Sequence, residues 1–360
     1  MLTSDFDFPF PEEQIALRPL PRGEARLMVV SASGSLPEGF PLPSEPGSDQ
    51  AFGQAKDLLE VLRPGDALAL NDTRVLRARL QGTLENGSGC EVLLVKARAS
   101  GPGESNALWE CMARPGRKLR VGTRVAFGGD LSAEVQEILP EGERVLRFNR
   151  GGADFLAALE TAGQIPLPPY IRRAADADDA ETYQTVWAAH AGSVAAPTAS
   201  LHISEDLLRT IEAKGVRVVK LTLHVGAGTF RPVQTDRIED HPMHSETFSL
   251  SPESAATLNA VRAAGGRIFA VGTTAARVLE TCADAHGRVQ PRLGETDIFM
   301  YPGYQWKVVD GLLTNFHWPK STLFMLVASR LGTEKAKEVY ADAINRGFRL
   351  FSYGDAMLIL

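Results

Sequence analysis

Apolar and polar positions change rhythm twice along this chain. Between residues 67 and 148, short apolar runs recur between turn residues, at 67–70, 75–80, 91–96, 108–113, 121–127, 134–138 and 144–148. Gly-rich punctuation around Gly87, Gly89, Gly128 and Gly129 separates some of them. Many short strands at this spacing predict an antiparallel barrel or sandwich. Downstream the rhythm lengthens. Residues 155–161, 204–215, 252–264, 275–282 and 334–345 carry helical spacing, with Ser204 placed to cap the second of these. Residues 216–224, 267–271 and 348–351 read as strands between helices. Such alternation predicts an α/β core with a mostly parallel sheet.

Upstream lie Pro-rich extended sequence, a Gly/Pro/Ser loop from 31 to 50, and a short helix at 57–62 that stops before Pro64. This segment is too short to bury itself, so it packs on the α/β core. The predicted organisation is therefore α/β. Residues 1–62 plus 151–360 form a discontinuous α/β domain, and 63–150 form an inserted β-barrel domain.

Composition changes this picture little. With 44% hydrophobic and 23% charged residues, the chain is ordinary globular sequence, and 360 residues suit two domains. Three cysteines, Cys90, Cys111 and Cys282, are widely spaced with no CxxC pair. That spacing excludes zinc-ribbon, thioredoxin and clustered iron–sulfur readings, and free thiols suit a reducing compartment. The first residues are acidic where a secretory signal is basic, and no apolar run approaches 18 residues. The expectation is a cytoplasmic protein without a membrane span. The net charge of −6 announces no nucleic-acid binder, yet a local patch matters more than the sum. From Arg63 to Arg124 there are 11 basic and 6 acidic residues, and Arg114, Arg117, Lys118, Arg120 and Arg124 are the densest part. A charge run is often a solvated face; on a small barrel it also fits a phosphate backbone.

Several polar motifs fall at predicted strand ends. Asn71, Asp72, Thr73 and Arg74 form either an Asx-type turn or a row of groups for a polyhydroxylated ligand. The small residues around Pro197 and Thr198 are either a tight packed loop or a close approach to ligand. The strand ending at His224 runs into Gly226, Gly228 and Thr229, but Pro232 breaks the helix a dinucleotide fingerprint needs. His241, His244 and Glu246 invite a metal reading. Pro242 argues against a helix aligning the two histidines, so hydrogen-bonding roles and no metal are expected. Thr273, Thr274 and Arg277 open a helix, where the threonines either cap it or help hold an anion. Asn315, Phe316, His317 and Lys320 share one loop with Trp318, and Tyr353 and Asp355 share another. Aromatic faces suit a purine or a sulfonium.

These motifs, taken in order, carry a resemblance. Asn71 to Val75, the Pro166 to Ile171 segment, Tyr183 to Thr185, Ala195 to Ala199, Leu223 to Val233, His241 to His244, Val271 to Thr274, Tyr301 to Gly303, Asn315 to Thr322 and Tyr353 to Met357 resemble the S-adenosylmethionine:tRNA ribosyltransferase-isomerase family of queuosine biosynthesis. Departures are mild: Leu70 stands where Phe is usual, and Ala227 and Trp318 stand where Leu is common. The resemblance implies a barrel-like α/β major domain with an inserted antiparallel β-barrel. It implies that S-adenosylmethionine is consumed as a co-substrate, with no cofactor. Its ribosyl part would pass to 7-aminomethyl-7-deazaguanine at the tRNA wobble position, releasing adenine and methionine. The titratable motif residues for that chemistry are Asp72, His202, His244, Glu246, His317 and Asp355. An imidazole from His202, His244 or His317 is expected to move protons, and Thr273 and Thr274 to hold the methionine carboxylate. The competing classes are a non-enzymatic RNA-binding module, which needs no clustered histidines, and a methyltransferase, whose Gly-rich strand–helix fingerprint is missing.

Overall fold

The computed structural model describes residues 1–98, 106–226 and 233–360. Its strands, in chain order, are β1 (Arg26–Val30), β2 (Gln50–Gln54), β3 (Ala67–Asn71), β4 (Thr73–Val75), β5 (Arg79–Leu84), β6 (Gly89–Arg98), β7 (Leu108–Arg114), β8 (Arg124–Ala126) and β9 (Ser132–Ile138). They continue with β10 (Arg144–Phe148), β11 (Gly163–Gln164), β12 (His190–Ser193), β13 (Arg217–Leu223), β14 (Glu246–Leu250), β15 (Ile268–Val271), β16 (Arg292–Thr296), β17 (Gly311–Asn315) and β18 (Ala356–Ile359).

Nine strands make the large sheet, in the order β16-β14-β13-β3-β15-β17-β18-β1-β2. The centre, β13-β3-β15-β17, is parallel, and so is β18-β1; the remaining neighbours are antiparallel. The sheet is thus mixed rather than mostly parallel. Its strands β3, β15, β17 and β18 are buried on both faces because side chains alternate between two cores, whereas the edge strand β16 is largely exposed. Met28, Ala69, Ala270 and Leu312 point to one, with helices Gly272–Cys282 and Thr322–Leu331. Val29, Leu70, Val271 and Leu313 point to the other, where helix Glu205–Ala213 contributes Leu207 and Ile211. Ser204 caps that helix as expected, its Oγ accepting from the Leu207 N–H at 3.1 Å, an interaction worth about 1 kcal/mol.

The second unit is a closed barrel. β5, β6, β7, β10, β9 and β8 pair in antiparallel succession, and β8 pairs back with β5. Closure removes the free edges that short strands would otherwise expose. Val92, Leu94, Cys111, Val135 and Leu146 fill the interior, and helix Gly152–Ala162 adds Phe155 and Leu159 to the same core.

The expected boundaries shift. β3 lies between β13 and β15 in the large sheet, so the insertion begins after it rather than at 63. Helix Gly152–Ala162 and β11, which pairs with β5, belong with the barrel rather than with 151–360. The expected strand at 75–80 is two elements: β4 pairs with β12, and β5 starts the barrel. The expected last strand at 348–351 is an extended segment with a single parallel bridge, Leu350 to Ile15, ahead of the turn that leads into β18.

Candidate active site

A cavity of about 340 Å³ opens at the carboxyl ends of β15 and β17, where ligands of α/β sheets commonly sit. Four loops meet there, and the sequence explains how each is held. Val271 passes through Gly272, whose φ of +88° suits glycine, straight into helix Gly272–Cys282. That helix has no side-chain cap, so Thr273 and Thr274 do not serve as N-caps. Both line the cavity, and the buried Thr274 hydroxyl has no hydrogen-bond partner. Unpaired N–H groups at a helix start favour an anion or a carboxylate.

The second loop follows β17. Asn315 donates through Nδ2 to the carbonyls of Phe351 at 3.0 Å and Ser352 at 3.5 Å, tying this loop to the turn before β18. Its Oδ1 is buried without a partner. Among the described residues, the two non-glycine positive φ values fall at Lys320 and Phe351, one in each of these loops. Such conformations persist where surrounding structure over-determines them, and they gather at functional sites.

The third loop, Pro169 to Arg172, supplies aromatic surface. Tyr170 stacks on Trp318 at 5.7 Å and 20°, and Trp318 lies 4.8 Å from the Phe351 ring. The Tyr170 hydroxyl pairs with Ser352 Oγ at 2.6 Å, and burial pushes its pKa up to about 12. The fourth loop brings Ala195, Pro197 and Thr198 to the rim.

One histidine lines this cavity. His317 sits beside Thr314, Nε2 to Oγ1 at 2.7 Å, and burial pushes its pKa down to about 3. His202 lies behind it: Asn315 Nδ2 donates to its Nε2 at 3.3 Å. Burial, then the Arg349 and Arg22 charges, lower its pKa to about 4. Both imidazoles are therefore neutral near pH 7. Their folded pKa values lie below the ordinary 6.5, so between roughly 3 and 6.5 the unfolded chain binds more protons. Their contribution is complete above pH 6.5 and lost as pH falls. From pH 7 to pH 5 the two should cost about 4 kcal/mol of stability, about 1.4 kcal/mol per histidine for each pH unit below 6.5. Urea unfolding at both pH values measures this, and H202N/H317Q should shrink the difference, leaving the part due to His224 and His241, whose pKa values burial also lowers. A pH-independent midpoint in the parent chain would overturn it.

His241, His244 and Glu246 line a smaller pocket of about 30 Å³. Arg277 and Leu323 line both pockets and separate them. His244 is exposed, and burial lowers the His241 pKa, with His244 adding to the effect. Glu246 is buried against Arg277 in a direct ion pair, and its Oε1 accepts from the Gly226 N–H at 3.0 Å. Glu246→Ala strands the Arg277 charge in the interior and should cost about 3–5 kcal/mol, read as a lower unfolding midpoint. A loss below about 1 kcal/mol would contradict the pairing.

Several expected ligand groups are used internally instead. Asn71 is fully buried, and its amide continues the sheet: Nδ2 donates to the Leu223 carbonyl and Oδ1 accepts from the Leu223 N–H, both at 3.0 Å. Asp72 accepts from Thr222 Oγ1 at 2.6 Å, and Thr73 Oγ1 meets His224 Nδ1 at 2.8 Å. Arg74 reaches Glu160 at 3.6 Å on the surface. Asp355 accepts from the Arg26 and Arg349 N–H groups, and Tyr353 donates to Asp179 at 2.9 Å. Lys320 pairs with Asp7 at 2.8 Å. None of these side chains lines the main cavity. Gly228 and Thr229 lie outside the described residues. Trp318 lines the cavity, as the aromatic faces of its loop led one to expect, and so do Tyr170, Thr314 and Phe351, which the motifs alone do not single out as ligand groups. Those motifs mark the loops, but core aromatics look the same in sequence.

The comparisons with known proteins bear on this geometry. The sequence model of the family described as "Queuosine biosynthesis protein" matches residues 3–359. The chain belongs to this family. A curated relative from Ruegeria pomeroyi, named S-adenosylmethionine:tRNA ribosyltransferase-isomerase, is 48% identical over 370 residues, covering 100% of this chain and 99% of the relative. One of the same name from Clostridium kluyveri is 48% identical over 367 residues, covering 100% of both. The crystal structure of S-adenosylmethionine tRNA ribosyltransferase from Thermotoga maritima is similar, with a TM-score of 0.53 and 32% identity over 99% of this chain and 100% of that one. Among the described residues, no helix is long and apolar enough to cross a membrane.

Proposed function

We propose that this member of the family transfers and isomerises the ribosyl moiety of S-adenosylmethionine onto 7-aminomethyl-7-deazaguanine at the tRNA wobble position. The products are epoxyqueuosine-tRNA, adenine and methionine. The observation that carries this reading is the cavity itself. It combines an uncapped helix start, an aromatic wall and a neutral imidazole.

The parts divide the substrate between them. N–H groups at Thr273 and Thr274 hold the methionine carboxylate. The Tyr170 and Trp318 rings face adenine or the sulfonium. The sulfonium acidifies the adjacent 5′ carbon, which loses a proton. Ribose opening then expels adenine, which takes up a proton. The amine of the modified base loses its proton and attacks, and methionine leaves. His317, neutral, carries one lone pair and one N–H, so it can accept a proton at one nitrogen while donating at the other. Holding two substrates in register contributes much of the rate.

Incubation with S-adenosylmethionine and tRNA bearing the precursor base tests the reading. Adenine release with ribosylation of the anticodon nucleoside is expected; methyl transfer without adenine release would overturn it. We propose that no metal takes part. Among the described residues, no group of three or more His, Cys, Asp or Glu side chains is arranged to hold one. Turnover should survive a chelator, and a stoichiometric metal whose removal abolishes turnover would reverse that conclusion.

A further inference from the structure

A second and larger concavity, of about 590 Å³, lies between the barrel and the segment that follows β11. One wall is barrel surface, with Leu93 and Met112 between Arg79 and Arg114; the other is the proline-rich run that includes Pro168 and Pro169. Four arginines line it, Arg79, Arg114, Arg172 and Arg173; Arg172 pairs with Glu12 at 3.1 Å on the surface and Arg173 with Asp179 at 2.6 Å, and the lining itself holds one carboxylate, Glu91. That carboxylate is already occupied, accepting from Arg79 at 2.9 Å and from Gln81 at 3.0 Å. Arg79 also reaches the Leu167 carbonyl at 3.4 Å, which ties the two walls together.

Two features give this groove a direction. Pro169 and Arg172 line both the groove and the 340 Å³ cavity, so the segment carrying Tyr170 is the partition between them. At the other end, Arg114 leads directly into the exposed turn of Arg117, Lys118 and Arg120. Among the described residues, Arg114 and these three have no acidic partner within salt-bridge distance, unlike Arg124, which pairs with Glu134 at 3.2 Å. The path thus runs from a basic turn, through a groove with apolar walls and basic edges, to the site of reaction. Single-stranded nucleic acid asks for this combination: cations for phosphates and apolar surface for base faces.

We infer that the groove seats the unpaired nucleotides flanking the wobble position, and that the Pro168–Pro169 sill turns the wobble base alone into the cavity. The inference rests on the proposed function, since it takes the anticodon loop as occupant. Extruding one base costs little in an already single-stranded loop. Leu93 and Met112 then set specificity by touching anticodon-loop bases, whereas Arg114, and Arg172 on exchanging its exposed Glu12 partner, hold phosphates without reading sequence.

The test places a photo-crosslinking amino acid at Met112 in the full chain, with the precursor-bearing tRNA as probe. Crosslinks should map to nucleotides adjoining the wobble position. A tRNA bound and modified normally but crosslinked only in another arm, or not at all, would overturn the inference and leave the proposed function standing. Absence of any ribosylation by the parent chain would instead overturn the function. As a second measurement, Leu93→Trp narrows the groove without removing a charge. It should raise the KM for tRNA about tenfold or more, the effect of forfeiting roughly one stacked base. The KM for S-adenosylmethionine should stay unchanged. Equal changes in both constants would mean that the substitution distorts the fold, and no change in either would show the groove to be empty of RNA.

Discussion

Replacing His317 with alanine or glutamine should cut adenine release about 10²–10⁴-fold, the span usual for loss of a general acid or base. The fold should survive, because among the described residues the ring's side-chain partner is Thr314, three residues back at the end of β17, and the His317 backbone N–H donates to the Tyr340 hydroxyl. His202 acts through Asn315, so its replacement should do less damage and should be partly rescued by asparagine, which can still accept from the amide. His244 is exposed beyond Arg277 and should matter least of the three. The pH profile of kcat/KM, which reports the free enzyme, should show no imidazole limb near about pH 6–7 from either buried ring. If His317→Gln keeps near-normal turnover while a His244 variant abolishes it, the reaction takes place at the smaller pocket.

Reversing the charge of Arg117, Lys118 and Arg120 together should weaken tRNA binding and flatten its salt dependence. The slope should fall by about 0.9 for each duplex phosphate no longer neutralised, and by about 0.7 for each phosphate of a single strand. All three side chains are exposed on the turn Gly116–Lys118 and just after it, so removal should cost little stability. S-adenosylmethionine binding, which we propose for the large-sheet cavity, should be untouched. Unchanged affinity and slope would show that this turn is only solvated and would move the RNA surface elsewhere.

The barrel strands are readable because each buries one face. β5 alternates inside and outside along its length and β6 does so as far as Leu94, and that period survives in the sequence. β3 carries a different sign. All five of its residues are buried, as in a strand covered on both faces, so its continuous apolar run belongs to the α/β sheet. Its length alone matches the barrel strands beside it, which is why spacing groups it with them.

By itself the sequence determined the α/β class, the inserted barrel, the basic turn and the family, because periodicity, charge runs and ordered motifs are local properties of the chain. It also marked the loops that form the cavity. Tertiary structure decided which polar residues in those motifs face a ligand. Asn71 and Asp355 hold backbone, whereas Thr274 and Asn315 leave buried polar atoms unpaired, and all four are polar residues at strand ends in sequence. The physical reason is that a hydrogen-bonding group serves the fold or a ligand according to whether backbone lies within about 3 Å of it. For Asn71 that backbone is Leu223, 152 residues further along the chain, and only the pairing of β3 with β13 brings it there.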